Sequence, residues 1–392
     1  MSRKVLSVLL ATAMTASLLV GCGASAAAPA ATEEAAPAAT EEAAPADDAA
    51  ATEEAAPAAD EATAGKKVGV AMPTKDLQRW NQDGENMKAL LEAAGYEVDL
   101  QYASNDIATQ VSQIENMISS GCQVLVIASI DGDSLGTVLA QAKEKNIPVI
   151  AYDRLIMNSD AVTYYATFDN YMVGTKQGQY IEQQLNLANG DGPFNIELIT
   201  GDPGDNNARF FFGGAMDVLQ PYIDNGQLVV KSGQTDFATV ATAGWSTENA
   251  QARFDAIISA NYADGTQLDA VLASNDSTAM GVTNSLEANY EANHDNWPII
   301  TGQDCDIANV KNMIAGKQAM SIFKDTRTLA AKTVEMVDAI MKGGEAPIND
   351  RETYDNGTGI IPSYLCEPVF ADINNYEELL IESGYYTADQ LK

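Results

Sequence analysis

Six short apolar runs in this chain each stop abruptly on planar polar side chains. The run 68–72 leads to Arg79-Trp80, 149–152 to Asp153-Arg154, and 196–200 to Asp205-Asn206-Asn207. The run 271–274 leads to Asn275-Asp276, 299–302 to Gln303-Asp304, and 321–323 to Lys324-Asp325. Strands of a parallel sheet are covered on both faces and therefore read as short continuous apolar runs. In open α/β sheets a ligand sits in the crevice beyond the carboxyl ends of the strands, so the six clusters are expected to converge on one cleft.

Helical periodicity fills the gaps between the runs. Residues 84–94 form an amphipathic stretch closed by Gly95, a residue suited to a helix C-cap. Stretches 107–120 and 135–145 follow the same period, the second ending before Pro148, and 98–102 and 124–128 read as further strands. A second series predicts helices over 171–187, 208–219, 247–262 and 278–288, with strands at 196–200, 228–232, 270–273 and 299–301. Such β-α-β alternation predicts right-handed, doubly wound parallel sheets. Two successive series suggest two lobes, because single cores stop growing near about 250–300 residues.

Before position 66 the pattern changes. Arg3 and Lys4 precede an apolar stretch over 5–20, the layout of a secretory signal too short for a confident membrane span. From 23 to 64 the chain is nearly all Ala, Pro, Thr, Glu and Asp, with ATEEAAPA recurring at Ala31, Ala39 and Ala51. Such a segment cannot bury enough apolar surface to offset its ordering entropy, and Pro29, Pro37, Pro45 and Pro57 break any long helix. Residues 23–65 are therefore expected to be a disordered, acidic tether.

Charge removes one class of function. The 392 residues carry 22 Lys and Arg against 55 Asp and Glu, a formal net charge of −33. Nucleic-acid binding rests on cations neutralising phosphates, so no nucleic-acid partner is expected. Part of the charge is local: the first 65 residues hold ten acids and two bases, leaving 45 and 20 on the remainder. Cys122, Cys305 and Cys366 are odd in number and not closely spaced, and His294 is the single histidine, so neither a full disulfide framework nor a transition-metal centre is expected. No phosphate loop and no twelve-residue calcium loop occurs. No cofactor is expected.

In the strand-end residues the chain resembles the type I periplasmic sugar-binding proteins of bacterial ABC transporters, especially the D-xylose-binding and multiple-monosaccharide-binding members. The likeness runs from about Val68 to Lys392. It rests on Arg79-Trp80, the stretch Gln113-Ile114-Glu115-Asn116-Met117, Ala151-Tyr152-Asp153-Arg154 and Asp205-Asn206-Asn207-Ala208, and continues through Gly244-Trp245, Ser274-Asn275-Asp276, Gly302-Gln303-Asp304 and Phe323-Lys324. Leu19-Val20-Gly21-Cys22 in turn resembles the lipobox of bacterial lipoproteins, which implies cleavage before Cys22 and lipidation of its sulfur.

The resemblance implies two Rossmann-like lobes joined by three hinge crossings, with the ligand cleft between them. Carried over, residues 66–168 plus 304–350 form the N-terminal lobe and 169–303 plus 351–392 the C-terminal lobe. It also implies a monosaccharide ligand, an aldopentose or aldohexose such as xylose, glucose, galactose or arabinose, delivered to ABC transporter permease subunits from the outer face of the cell membrane. The ligand set carried over is Arg79, Trp80, Asp153, Arg154, Asp205, Asn207, Trp245, Asn275, Asp304 and Lys324. Cys305 and the segment 236–244 depart from the family pattern and leave the choice of sugar open. The chain is expected to act as a monomer.

These residue types suit a sugar on physical grounds. A pyranose has two weakly apolar faces, which Trp80 and Trp245 could sandwich, though a Trp after a strand is more often core. Asp153, Asp205 and Asp304 accept from hydroxyls, Arg79, Arg154 and Lys324 donate, and Asn207 and Asn275 do both. Charge-assisted hydrogen bonds are worth roughly 1.5–3 kcal/mol each, so a few reach micromolar affinity. Asp205, Asn275 and Asp304 could equally be N-caps of the helices that follow them. A carbohydrate-active enzyme would need one carboxyl kept protonated, whereas cations beside Asp153 and Asp304 favour ionisation. A sensory role towards a chemoreceptor or histidine kinase stays open. Repression of transcription does not, because the acidic tether stands where related repressors carry a helix-turn-helix.

Overall fold

The computed structural model describes residues 65–290 and 296–392. The signal stretch, Cys22, the tether and His294 lie outside the described residues. The chain first lays down β1 (Lys67–Met72), α1 (Gln78–Ala93), β2 (Glu97–Tyr102), α2 (Ile107–Ser119), β3 (Val124–Ile127), α3 (Gly136–Glu144), β4 (Val149–Tyr152) and β5 (Val162–Phe168). It continues with α4 (Asn170–Gln184), β6 (Phe194–Ile199), α5 (Asn206–Asp224), β7 (Leu228–Val229), α6 (Phe237–Val240), α7 (Thr247–Asn261), β8 (Ala270–Ala273), α8 (Asp276–Asn289), β9 (Ile299–Ile300), α9 (Ile307–Ile314) and β10 (Met320–Phe323). Last come α10 (Thr326–Met341), β11 (Ser363–Cys366) and β12 (Val369–Asp372).

The strands form two sheets of the same design. The first has the order β11-β5-β4-β3-β1-β2 and is parallel throughout. The second runs β7-β6-β8-β9, also parallel. A parallel bridge from Gln303 to Ile322 adds β10 beyond β9, and β12 closes that edge antiparallel to β10. In each lobe the first five strands thus follow the doubly wound order 2-1-3-4-5.

Side-chain alternation shows why both sheets are buried on two faces. Val68, Val70 and Met72 of β1 and Val124 and Val126 of β3 pack with Met87 and Leu91 of α1 and Leu329 and Val337 of α10. The intervening Ala71, Leu125 and Ile127 pack on the other side with Ile114 and Met117 of α2 and Leu139 of α3. In the second lobe, Val271 and Ala273 pack with Phe254 and Leu286 of α7 and α8, while Ala270 and Leu272 pack with Ile181 and Leu219 of α4 and α5. A period of two with apolar residues on both sides is what a helix-covered parallel sheet demands.

The lobes exchange chain three times. The chain leaves the first sheet after β5 at Asp169, returns from β10 through Lys324-Asp325 to α10, which packs on α1, and leaves again from β11 through Glu367-Pro368 to β12. These pairings correct the boundaries expected from the resemblance. Segment 304–323 belongs with the second sheet, since Cys305, Val310, Met313 and Phe323 share a core with Ala371, Leu380 and Tyr386. Segment 351–366 belongs with the first, where β11 pairs with β5 and Tyr354 packs on Tyr165.

Helix α1 begins at Gln78, six residues before the expected start at 84. Gly84 is mid-helix, and a Cβ there would lie 2.2 Å from the Tyr102 hydroxyl. The strand expected over 228–232 is only Leu228–Val229, because Glu197 draws the Ser232 N–H and hydroxyl into a turn. Cys122, Cys305 and Cys366 are free and buried. No helix among the described residues is long and apolar enough to cross a membrane.

Helices α4 and α5 meet through glycine. A Cβ on Gly174 would lie 1.9 Å from the Phe211 carbonyl oxygen, and one on Gly214 would lie 2.1 Å from that of Tyr171. Backbone cannot yield as a side chain can. Gly174→Ala should therefore destabilise the protein by about 1–3 kcal/mol, the range for an overpacked core, although alanine is the better helix former. Urea unfolding measures it, and an unchanged midpoint would show that the helices can separate freely.

Candidate ligand-binding site

The carboxyl ends of the two sheets face each other, and the strand-end clusters meet between them. A cavity of about 300 Å3 is lined by Arg79, Trp80, Asp153, Arg154, Asp205, Asn207, Trp245, Asn275, Asp304 and Lys324, with Leu77, Phe211 and Gln303. All ten sequence-derived residues reach it, and each is at most 8% exposed. Asn206, Asp276 and Asp325, which share the strand-end clusters, do not line it.

Charge organises the cavity. The Arg79 guanidinium reaches Asp83 at 2.9 Å, Asp153 at 2.8 Å and Asp304 at 3.4 Å. Lys324 Nζ lies 3.2 Å from Asp304 and 3.8 Å from Asp153. Arg154 Nε reaches across to Asp205 of the opposite lobe at 3.0 Å. Burial by itself would raise the Asp153 carboxyl, but Arg79, Lys324 and Arg154 hold it below the usual carboxylate range. Burial raises Asp205 in spite of Arg154.

Backbone geometry aims several of these groups. Asp153, Trp245 and Asp304 have φ of 59°, 55° and 98°, a region that non-glycine residues seldom occupy and that surrounding structure must enforce. At Asp153 the enforcement is visible. Its carbonyl oxygen accepts from Tyr165 Oη at 2.6 Å, Thr167 Oγ1 at 2.9 Å and Asn207 Nδ2 at 2.6 Å, and its N–H donates to the Ala166 carbonyl at 2.7 Å. Asn207 belongs to the second lobe, so one of these bonds joins the lobes.

The two tryptophans are held differently. Trp80 lies in the first turn of α1 and contributes to the core of the first lobe, with the Arg79 and Arg154 guanidinium carbons 4.5 and 5.0 Å from its ring. Trp245 donates from Nε1 to Asp205 Oδ2 at 3.1 Å and lies on Gly201, where a Cβ would come within 1.9 Å of the indole. Core and cavity roles therefore coexist in Trp80.

The capping alternative also coexists with a place in the cavity. Asp205 caps α5 by accepting from Asn207 N at 2.9 Å. Asn275 caps α8 in a reciprocal capping box with Thr278. Asp304 is not a cap, since α9 starts after Asp306. Cys305 turns away from the cavity into the core beneath the C-terminal segment.

Residues missed by sequence reasoning lie mostly behind the lining. Asp83 accepts from Arg79 Nε at 3.0 Å and from the Tyr152 hydroxyl. Its position four residues after Arg79 on a helix is the available signal, and the apolar periodicity that predicts the helix begins only at 84. Asn170, at the first crossing, donates to Asn207 Oδ1 at 3.1 Å. Gln303, next to Asp304 in the strand-end cluster, lines the cavity as well. Among the described residues, Gln303 Oε1 and Trp80 Nε1 are buried without a hydrogen-bond partner.

Behind Asp304, Asp276 accepts from Gln318 Nε2 and Ser321 Oγ, both at 2.9 Å, and from Asp306 N at 2.8 Å. Burial, with Asp306 nearby, holds Asp276 well above the usual range. Burial and the Asp304 carboxylate push Asp306 up to about 7, and burial pushes Asp83 up to about 6 despite Arg79. Each folded-state value exceeds its unfolded one, so the native state binds the extra protons. Their contribution to stability is present at low pH and is lost as pH rises through about 6 and then about 7. The urea midpoint should fall between pH 5 and 8, and Asp306→Asn should flatten the upper part of the profile. A rising profile over that window would contradict the burial of these carboxyls.

Comparison with known proteins adds to this geometry. Residues 68–345 match the family described as periplasmic binding protein domain. The chain is 54% identical over 326 residues to the multiple sugar-binding periplasmic receptor ChvE of Rhizobium radiobacter, covering 83% of this chain and 92% of that protein. It is 35% identical over 325 residues to the D-xylose-binding periplasmic protein of Escherichia coli strain K12, covering 83% and 92%. Among solved structures, an ABC transporter solute binding protein from Clostridium phytofermentans with bound β-D-glucose is similar with a TM-score of 0.82 at 77% identity, covering 83% of this chain and 100% of that one.

Proposed function

The chain belongs to the periplasmic binding protein family, and from that premise we propose that it captures a single aldose, glucose or xylose among them, outside the cytoplasm and presents it to an ABC transporter permease. The observation that carries the reading is the charged cavity shared by both lobes. A neutral polyol suits it. Each hydroxyl both donates and accepts, so a sugar can satisfy Asp153 and Asp304 on one side and Arg154, Lys324 and the asparagines on another. Buried polar groups are normally paired, and the open positions at Gln303 Oε1 and Trp80 Nε1 fit ligand hydroxyls.

Closure follows from the division of the site. Arg79, Trp80, Asp153 and Arg154 stand on the first lobe, and Asp205, Asn207, Trp245, Asn275 and Asp304 on the second, with Lys324 in the returning crossing. A ligand that touches both sets binds the closed form better and shifts the hinge equilibrium by that difference alone. The family is one of binding proteins, and the ion-paired carboxylates of the cavity favour binding over proton donation. Presentation to a sensor is a second reading, since the relative at 54% identity is named a receptor. In either role the lipobox-like stretch would tether the chain to the outer face of the cell membrane through Cys22.

Calorimetry on the purified protein should show glucose or xylose binding, with a change in tryptophan fluorescence. Asp153→Asn, which tolerates the left-handed backbone, and Asn275→Ala should each weaken binding by about 2 kcal/mol, roughly thirtyfold, by leaving buried hydroxyls unpaired. Wild-type affinity in both variants would remove the cavity from consideration. A silent panel of aldoses at millimolar concentration would remove sugar binding altogether.

The anchor has its own test. Cys22→Ser should release the protein from membranes or block its processing, and a variant still membrane-bound and cut at the same place would exclude lipidation.

A further inference from the structure

The cavity does not end at the single-sugar site. Leu77, Arg154 and Trp245 line it and also border an open groove of about 790 Å3 that runs outward between the lobes. The lobes already touch beside this groove, where Gly132 N donates to the Gly204 carbonyl at 3.1 Å and a Cβ on Gly204 would lie 2.8 Å from Asp131 Oδ2. The lobes therefore meet with an open groove left beside the inner cavity, and Leu77, Arg154 and Trp245 stand between the two.

The lining of the groove has the two properties a second sugar ring needs. Ile107, Ile130 and Pro203 offer apolar surface, with Ile107 38% exposed. Asp131 and Asp202 offer oriented acceptors. Asp131 Oδ1 is fixed by Asp133 N at 2.9 Å and Ser134 Oγ at 2.7 Å, and Asp202 by the N–H groups of Gly204 and Gly244. Each carboxylate keeps further lone pairs for hydroxyl donors. Ile107, Ile130 and Asp131 come from the first lobe and Asp202 and Pro203 from the second, so a unit seated here would also favour the closed form.

We propose that the cleft accepts an aldose bearing a second unit on its glycosidic oxygen, a disaccharide or an aryl glycoside, with the first ring in the inner cavity and the second unit in the groove. The proposal rests on the inner cavity being an aldose site. Calorimetry on the full chain with glucose, cellobiose, maltose and phenyl β-D-glucopyranoside separates the two claims. At least one of the three two-unit ligands should bind within about tenfold of glucose.

Ile107→Trp on the first lobe and Pro203→Trp on the second narrow the groove from opposite sides, at positions outside the inner lining. Each should weaken the two-unit ligand by about tenfold or more and leave glucose affinity within about twofold. Glucose binding with none of the two-unit ligands bound at millimolar concentration would overturn the proposal and make the groove a passage only. Unaltered two-unit binding in both Trp variants would overturn it as well, by placing the second unit elsewhere. Failure of glucose and xylose along with the others would instead bring down the aldose reading on which it stands.

Discussion

Three cations and four carboxylates withdrawn from water in one place set the terms for everything around them. Arg79, Arg154 and Lys324 face Asp83, Asp153, Asp205 and Asp304, and each is almost fully buried. Burying an ion costs several kcal/mol unless it is paired and its remaining hydrogen-bond positions are filled. The consequences run outward from that requirement. Asp153 is pinned through its carbonyl by Tyr165, Thr167 and Asn207, and Arg79 is braced from behind by Asp83, itself held by Tyr152. In a cavity whose cations and carboxylates already pair with one another, a neutral ring of hydroxyls can slot between the partners without stranding any of them.

The second constraint is topological. Both lobes use the same 2-1-3-4-5 strand order, so both present their ligand edge at the carboxyl ends of the strands, and three crossings hold those edges opposite each other. The crossings are short: Asp169, Lys324-Asp325 and Glu367-Pro368. Asp169 and Asp325 also cap the helices that follow, which gives each of these turns a fixed exit angle. Lys324 sits in one crossing and in the ion cluster at once, so hinge and site share a residue. The crossings and the cavity are thereby built from neighbouring residues in this type I periplasmic binding protein fold.

Conformational compromise recurs at the cleft. Asp153, Trp245, Asp304 and Cys305 all take positive φ, and Gly201 gives up a side chain so that Trp245 can lie flat against it. Elsewhere glycine serves close packing, as where α4 meets α5. At Asp153, Trp245 and Asp304 the strain aims side chains into the shared space rather than back into their own lobes.

The sequence by itself determined the alternation of strand and helix, the doubly wound class and the polar clusters at the strand ends. Those signals are local. A buried strand must be apolar along its whole length, and the residue where burial stops is where polarity returns. The ten side chains of the cavity were legible for that reason, together with the family motifs that order them. The rest was decided by contacts between residues far apart in the chain. Nothing near position 304 reveals that β10 joins the second sheet, or that Ser363–Cys366 returns to the first, because a short apolar strand is compatible with either and only the Gln303–Ile322 bridge and the pairing with β5 decide. Asp83 lies just before the helix start that the sequence pattern predicts, and only the fold brings Arg79 and the Tyr152 hydroxyl onto it. The groove beside Trp245 is likewise invisible in the sequence, since it exists only where two lobes, each folded by its own local rules, stop short of meeting.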